Sequence, residues 1–139
     1  MNWATNITEI GKCLQSILAS RNDANNILID EAFSMWTDLT VHIREQKRTV
    51  CLVGNGASAS MASHVASDLA KNSHVHTEVF TDLALITAIA NDVSYEEVFA
   101  EPLKRRMKEG DMLVAISSSG QSRNIWQAAA TARNLGGIV

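Results

Sequence analysis

Hydrophobic positions give residues 1–48 a helical pattern. In residues 5–20 the apolar side chains recur at the three- and four-residue spacing of a helix. Asp23 is expected to cap a second, longer helix, whose apolar stripe extends from Leu28 to Ile43. The apolar side chains of both predicted helices need to be shielded from water. We therefore expect a helical hairpin that either wraps the core or, as we favour, meets copies of itself in an oligomer.

Residues 49–139 alternate between apolar runs, small polar turns and helical stretches. The runs at 49–53 and 112–116 are continuously apolar, which is typical of parallel strands covered on both faces. A helix at 95–107 should be kinked or divided by Pro102. The other predicted elements are a strand at 75–80 and helices at 60–70, 83–90 and from about 123. This order predicts an α/β fold with a doubly wound parallel sheet and ligands at the carboxyl ends of its strands.

Residues 136–139 resemble the end of a helix followed by the first residues of a fourth buried strand. A terminus at that point would leave a layer of the sheet unfinished. We therefore expect the α/β domain, residues 49–139, to be incomplete, with its C-terminal part missing.

Composition narrows the functional classes. Hydrophobic residues make up 46% of the 139 positions, and 12 Lys+Arg against 15 Asp+Glu give a net charge of −3. A chain of this kind is neither disordered nor a disulfide scaffold, and it lacks the positive field expected for nucleic-acid or anionic-membrane partners. No signal peptide or membrane-spanning run is recognisable, so a cytoplasmic location is expected. Cys13 and Cys51 are expected to be reduced core thiols.

The turn at 117–122 has four serines and Gly120 between an apolar strand and a helix. A helix N-terminus has free N–H groups and roughly half a positive charge, and serine hydroxyls add donors without bulk. The alternative is a plain N-cap and turn, but four serines in this place favour a phosphomonoester site. Because no Gly-Lys-Ser/Thr follows, no nucleotide cofactor is expected.

The turn at 54–58 would let backbone approach a ligand closely, or would be only a tight strand-to-helix connection, since it lacks the G-x-G-x-x-G spacing. His64 and Asp68 share a face of the following helix. They could act together on a substrate or hold a metal, although the spacing alone is more typical of an exposed pair.

Residues 54–58 and 62–69 resemble the signature of sugar isomerase (SIS) domains of the phosphoheptose isomerase type, and residues 88–92 and 110–122 are similar to the same family. The resemblance implies a flavodoxin-like three-layer sandwich in a cytoplasmic homotetramer joined by N-terminal helices. It also implies conversion of sedoheptulose 7-phosphate to D-glycero-D-manno-heptose 7-phosphate through an enediolate, which serves the synthesis of bacterial surface polysaccharide.

The resemblance assigns roles to matching positions. Phosphate would be held by Ser117, Ser118, Ser119 and Ser122. The sugar site would be lined by Asn55, Gly56, Ala57, Ser58, Asn91 and Asp92. His64 would match a Zn²⁺ ligand of some members, and Asp68 would match the family's catalytic base, which also touches the metal.

Two departures from the family pattern bear on activity. Asp68 stands where the family has glutamate and is shorter by about 1.5 Å, a displacement that can cost about a hundredfold in rate. The family's glutamine and catalytic histidine would lie beyond Val139. The alternative function is therefore a non-catalytic SIS protein that binds a phosphosugar or a protein partner, as the replication-initiator-associating relatives do.

Overall fold

The N-terminal part of the chain folds as two helices separated by a short β-hairpin, in a computed structural model that describes residues 2–139. The elements are α1 (Trp3–Gln15), β1 (Ala19–Ser20), β2 (Asn26–Ile27) and α2 (Ile29–Glu45). The strands β1 and β2 pair antiparallel. The described residues divide into two compact units, the first reaching Thr40 and the second extending from Val41 to Val139.

The β-hairpin formed by β1 and β2 contradicts two predictions about the N-terminal helices. The first helix ends at Gln15 rather than near residue 20, and Asp23 lies in the hairpin turn instead of capping α2. The Asp23 carboxylate accepts hydrogen bonds from the Asn25 backbone N–H at 3.1 Å and from Asn25 Nδ2 at 2.7 Å. These bonds lower the pKa of Asp23, with the backbone bond contributing most. Aspartate forms such local turns as readily as helix caps, and here the turn is formed.

No side chain of α1 is buried in the chain. The apolar residues Trp3, Ile7, Ile10 and Leu14 are each more than half exposed and follow helical spacing. Cys13 lies on the same helix and is also exposed, so the prediction that it is a core thiol is wrong. The helix therefore presents an uncovered apolar stripe, which we name the α1 stripe.

The second unit is built on a parallel sheet, as predicted. Among the described residues, its strands are β3 (Thr49–Gly54), β4 (His76–Val79) and β5 (Met112–Ile116), in the order β4-β3-β5. The central strand β3 is buried from Val50 to Gly54, because both of its edges are paired and both faces are covered.

Helices cover both faces of the sheet. α3 (Ala57–Ser73) connects β3 to β4, and α4 (Leu83–Asp92), a 3₁₀ turn (Tyr95–Glu97) and α5 (Ala100–Arg106) connect β4 to β5. α6 (Arg123–Asn134) follows β5. Alternate residues of β3 point to opposite faces. Cys51 and Val53 belong to a core shared with α5 and α6, while α3 packs on β3 and β4 through Ala62 and Ala66.

The helix predicted at 95–107 is divided rather than kinked near Pro102. Pro102 is the third residue of α5, and a 3₁₀ turn precedes that helix. Proline is tolerated in the first turn of a helix because the N–H it lacks would have no partner there.

The last residues begin a further parallel pairing beside β5. Ile138 bridges Met112, with Leu113 N donating to Ile138 O at 2.7 Å. The buried Asp111 lies just before β5 and ties the start of that strand to the start of β3. Its carboxylate accepts hydrogen bonds from Thr49 N at 2.9 Å and from Lys108 N at 2.7 Å. Within residues 2–139, no helix has the length and apolar character needed to cross a membrane.

Candidate functional site

The two polar turns predicted to bind ligand begin at the same edge of the sheet. Gly54 at the end of β3 pairs with Ile116 at the end of β5. The strand order reverses at this point: the chain leaves β3 through α3 on one face and leaves β5 through α6 on the other. A crevice at such a reversal is where open α/β sheets bind ligands.

Glycine is required on both sides of Asn55. A Cβ on Gly54 would lie 2.6 Å from the backbone carbon of Ser58, so only glycine lets α3 begin this close to β3. Gly56 has a φ of +55°, a conformation that side chains disfavour. Gly56 and Ala57 are exposed and Ser58 is half-buried. The turn therefore presents backbone at the sheet edge.

A side-chain cluster joins the two turns. Asn55 Nδ2 donates to Asn124 Oδ1 at 3.0 Å, and Asn124 Nδ2 donates back to Asn55 Oδ1 at 2.9 Å. The Tyr95 hydroxyl donates to the same Asn55 oxygen at 3.2 Å. We call Asn55, Asn124 and Tyr95 the amide cluster. It connects the turn after β3, the first turn of α6 and the 3₁₀ turn.

The serine turn, residues 117–122, brings two of its four predicted hydroxyls together. Ser117 Oγ and Ser122 Oγ are 3.3 Å apart and both residues are half-buried. Ser119 Oγ accepts from Gln121 N at 3.1 Å, and Ser118 is exposed. Ser122 precedes α6 but its hydroxyl does not cap the helix. Ile125 N donates to Ser122 O at 3.1 Å, so the N–H groups of Arg123 and Asn124 are the ones at the start of α6 that keep their capacity to bind an anion.

Trp126 contacts the serine turn through a hydrogen bond to its backbone. Its indole Nε1 donates to Gly120 O at 2.6 Å, and Gly120 itself has a φ of +64°. The Trp126 side chain is 67% exposed. The indole fixes the backbone of the serine turn by a hydrogen bond rather than by filling the core.

Asn91 and Asp92, the last residues of α4, are exposed, and Asn91 Nδ2 donates to Asp92 Oδ1 at 2.8 Å. Asp92 lines a cleft of about 350 Å³ between α4 and α5, together with Pro102 and Arg105. Tyr95, a member of the amide cluster, follows three residues after Asp92. Asp92 is therefore near the cluster in sequence but lines a different cleft.

His64 and Asp68 share a face of α3, as predicted, with Nε2 and Oδ2 3.4 Å apart. Both are accessible, and Lys71 lies 4.0 Å from the other Asp68 oxygen. By helical rise, Asp68 lies roughly 16 Å along the axis from Ala57, the first residue of α3. Among the described residues, no hydrogen bond or ion pair joins this pair to the serine turn or the amide cluster.

Sequence reasoning missed Asn124 and Tyr95. The available signal was that Asn124 lies four and eight residues before Ala128 and Ala132, on the apolar stripe of α6. A polar residue on a buried stripe needs a partner, and here Asn124 is 3% exposed. Tyr95 carried no comparable signal. Burial raises the pKa of the Cys51 thiol to about 12, which fits the prediction of an inert core thiol.

Comparison with known proteins decides the family. A family model for the SIS domain matches residues 13–139. The chain belongs to the SIS domain family. The solved phosphoheptose isomerase of Neisseria gonorrhoeae aligns with this SIS domain at a TM-score of 0.73 and 30% identity, covering 79% of this chain and 60% of that one. The phosphoheptose isomerase structure from Francisella tularensis aligns at a TM-score of 0.77 and 25% identity, covering 99% of this chain and 73% of that one.

Curated relatives of this SIS domain carry the same name. The phosphoheptose isomerase of Helicobacter pylori is 34% identical over 113 residues, which cover 77% of this chain and 59% of the relative. That of Thiobacillus denitrificans is 39% identical over 100 residues, covering 68% and 51%. The chain thus spans about three-fifths of the length of the H. pylori relative that it matches. The predicted α/β fold with a parallel sheet is confirmed.

The candidate zinc ligands of this SIS domain are fewer than the metal requires. Zinc takes three or four protein ligands, and His64 and Asp68 supply two. Within residues 2–139 no group of three His, Cys, Asp or Glu side chains lies close enough to hold a metal. The described residues therefore do not form a complete zinc site.

Proposed function

We propose that this SIS domain binds a phosphorylated sugar and belongs to an aldose–ketose isomerase that converts sedoheptulose 7-phosphate to D-glycero-D-manno-heptose 7-phosphate. The observation that carries the proposal is the serine turn, with its paired hydroxyls at the uncapped start of α6, held beside the turn of Asn55. Relatives named phosphoheptose isomerase support it.

The phosphate would bind at the serine turn. Ser117 and Ser122 offer adjacent hydroxyl donors, and the first N–H groups of α6 offer further donors with the positive end of the helix dipole. Local donors must dominate binding because the chain as a whole carries a net charge of −3. The sugar would then extend towards the backbone of residues 55–58.

Asp68 is proposed as the base. Isomerisation removes a proton from the hydroxyl-bearing carbon next to the carbonyl, forms an enediolate, and returns a proton to the former carbonyl carbon, while the proton of the first hydroxyl group moves to the former carbonyl oxygen. A carboxylate can perform the two transfers at carbon, and His64, 3.4 Å away, can orient it. Since no described hydrogen bond or ion pair joins Asp68 to the serine turn, binding and proton transfer should be separable by substitution.

The homotetramer, the cytoplasmic location and the absence of a nucleic-acid or nucleotide partner remain predictions. The α1 stripe supports self-association, because four apolar side chains more than half exposed would be covered by other copies.

The direct test incubates the full-length protein with sedoheptulose 7-phosphate and follows the appearance of the aldose by NMR. Turnover that is lost in Asp68→Asn, with binding retained, is the expected result. Binding without turnover in the wild type would instead favour the non-catalytic reading, and failure to bind would overturn the proposal.

A further inference from the structure

Asn124 is a polar side chain in an apolar position. It is 3% exposed and shares the buried stripe of α6 with Ala128 and Ala132, each fully buried. Burying an amide costs free energy unless its donors and acceptor find partners. Its side chain meets that need through the reciprocal pair with Asn55, 69 residues away in sequence.

The Asn55–Asn124 pair lies where it can fix the distance between the two turns at the sheet edge. It joins the turn after β3 to the first turn of α6, and these two turns lead to helices on opposite faces of the sheet. Loops at such places are ordinarily mobile. Tyr95 adds a third bond, from the 3₁₀ turn to Asn55, at 3.2 Å, and the exposed ion pair of Arg123 with Glu96, at 3.0 Å, is a weaker tie between α6 and the 3₁₀ turn.

The bonding also limits what Asn55 can offer a ligand. Its Oδ1 already accepts from Asn124 and Tyr95, and one of its two Nδ2 hydrogens goes to Asn124. One N–H donor is left. Asn55 is therefore held by the amide cluster more than it is free to rearrange around a bound molecule.

We propose that Asn124, assisted by Tyr95, is a positioning residue that sets the distance between the serine turn and residues 55–58 for one ligand held by both. The inference rests on the proposed phosphosugar site. A ligand that touches the serine turn alone does not need this distance, whereas a sugar phosphate that spans both turns does.

The test compares two probes, inorganic phosphate and sedoheptulose 7-phosphate, by titration calorimetry on the full-length protein. Asn124→Ala should weaken binding of the sugar phosphate on the order of tenfold and change the affinity for inorganic phosphate less than about twofold. Asn124→Leu keeps the approximate size and adds no charge, but it neither donates to nor accepts from Asn55, so the same split is expected. Tyr95→Phe, at an exposed position, should give a smaller loss in the same direction.

Thr131→Ala is the matched control, because Thr131 is buried two turns further along α6 and does not touch either turn. It should leave both affinities unchanged. In a double-mutant cycle, removing Asn124 from an Asn55→Ala background should cost much less than removing it from the wild type.

The outcomes separate the two proposals. Wild-type binding of sedoheptulose 7-phosphate that all three cluster variants preserve would overturn the positioning role alone, as would an equal loss of both probes in Asn124→Leu and Tyr95→Phe. Binding of neither probe by the wild type would overturn the proposed function and the positioning role with it. If Asn124→Ala does not fold, the Asn124→Leu and Tyr95→Phe variants decide.

Discussion

The hydroxyl oxygens of Ser117 and Ser122 lie 3.3 Å apart, although five residues separate them along the chain. The positive φ of Gly120 bends the turn so that the end of β5 and the start of α6 face each other. Trp126 holds the bend by donating to the Gly120 carbonyl. A pair of hydroxyls beside an uncapped helix start is a suitable place for a phosphate.

Ser122→Asp should separate anion binding from stability. Aspartate is a favoured N-cap and complements the helix dipole, so the thermal midpoint should stay equal or rise. The same carboxylate would repel phosphate, and affinity for inorganic phosphate should fall at least about tenfold. Calorimetry and thermal unfolding measure the two effects, with Ser20→Asp in the N-terminal unit as the control. Unchanged phosphate affinity would show that the serine turn is not the anion site.

Substitution of Asp68 should affect turnover and spare binding. Asp68→Asn removes the base with little change in shape, and isomerisation followed by NMR should be lost while sedoheptulose 7-phosphate still binds. Asp68→Glu lengthens the side chain by about 1.5 Å and restores the residue typical of the family, so the rate should rise, by up to about a hundredfold. Full turnover in Asp68→Asn would rule out its role as base.

Asp111→Ala should destabilise the second unit. The substitution leaves two partly buried backbone donors, Thr49 N and Lys108 N, without their carboxylate acceptor. The expected loss is roughly 3 kcal/mol in the free energy of unfolding, measured with urea. Asp38→Ala, at an exposed position of α2, is the control and should change stability by less than about 0.5 kcal/mol. Equal effects of the two substitutions would contradict the bonding described for Asp111.

The two cysteines should differ in reactivity. At pH 8 a thiol reagent should modify the exposed Cys13 and leave Cys51 unmodified until the protein is unfolded. Burial raises the pKa of Cys51 from 9.0 to about 12, so the folded form holds its thiol proton more tightly than the unfolded chain. The stability linked to this group is full below pH 9 and is lost as pH rises towards 12. Rapid labelling of Cys51 in the native protein would contradict this assignment.

A charge in the α1 stripe should prevent self-association. Ile10→Glu places a carboxylate among apolar side chains that would be covered in an oligomer, and light scattering should show a smaller assembly than the wild type. Lys12→Glu, which adds negative charge elsewhere on α1, is the matched control and should leave the mass unchanged. The same mass for both variants would exclude this stripe as the interface.

The central strand β3 and its neighbour β5 were predictable because they are continuous apolar runs, a pattern typical of strands covered on both faces. The β-hairpin at 19–27 was not, because Ile17 and Leu18 continue the helical spacing and Asp23 suits a turn as well as a cap. The serine turn was predictable from composition. Asn124 and Tyr95 were missed because their roles come from contacts with Asn55, and no local pattern reports a partner so distant in sequence.

Trp126 gives the serine turn an optical reporter of its own. The remaining tryptophans, Trp3 and Trp36, belong to the N-terminal unit, so replacing both with phenylalanine would leave one emitter whose indole N–H is bonded to the turn. Any event that shifts the Gly120 carbonyl would alter the polarity and hydrogen bonding around that ring. Fluorescence intensity and wavelength could then follow the turn in real time, with no label attached.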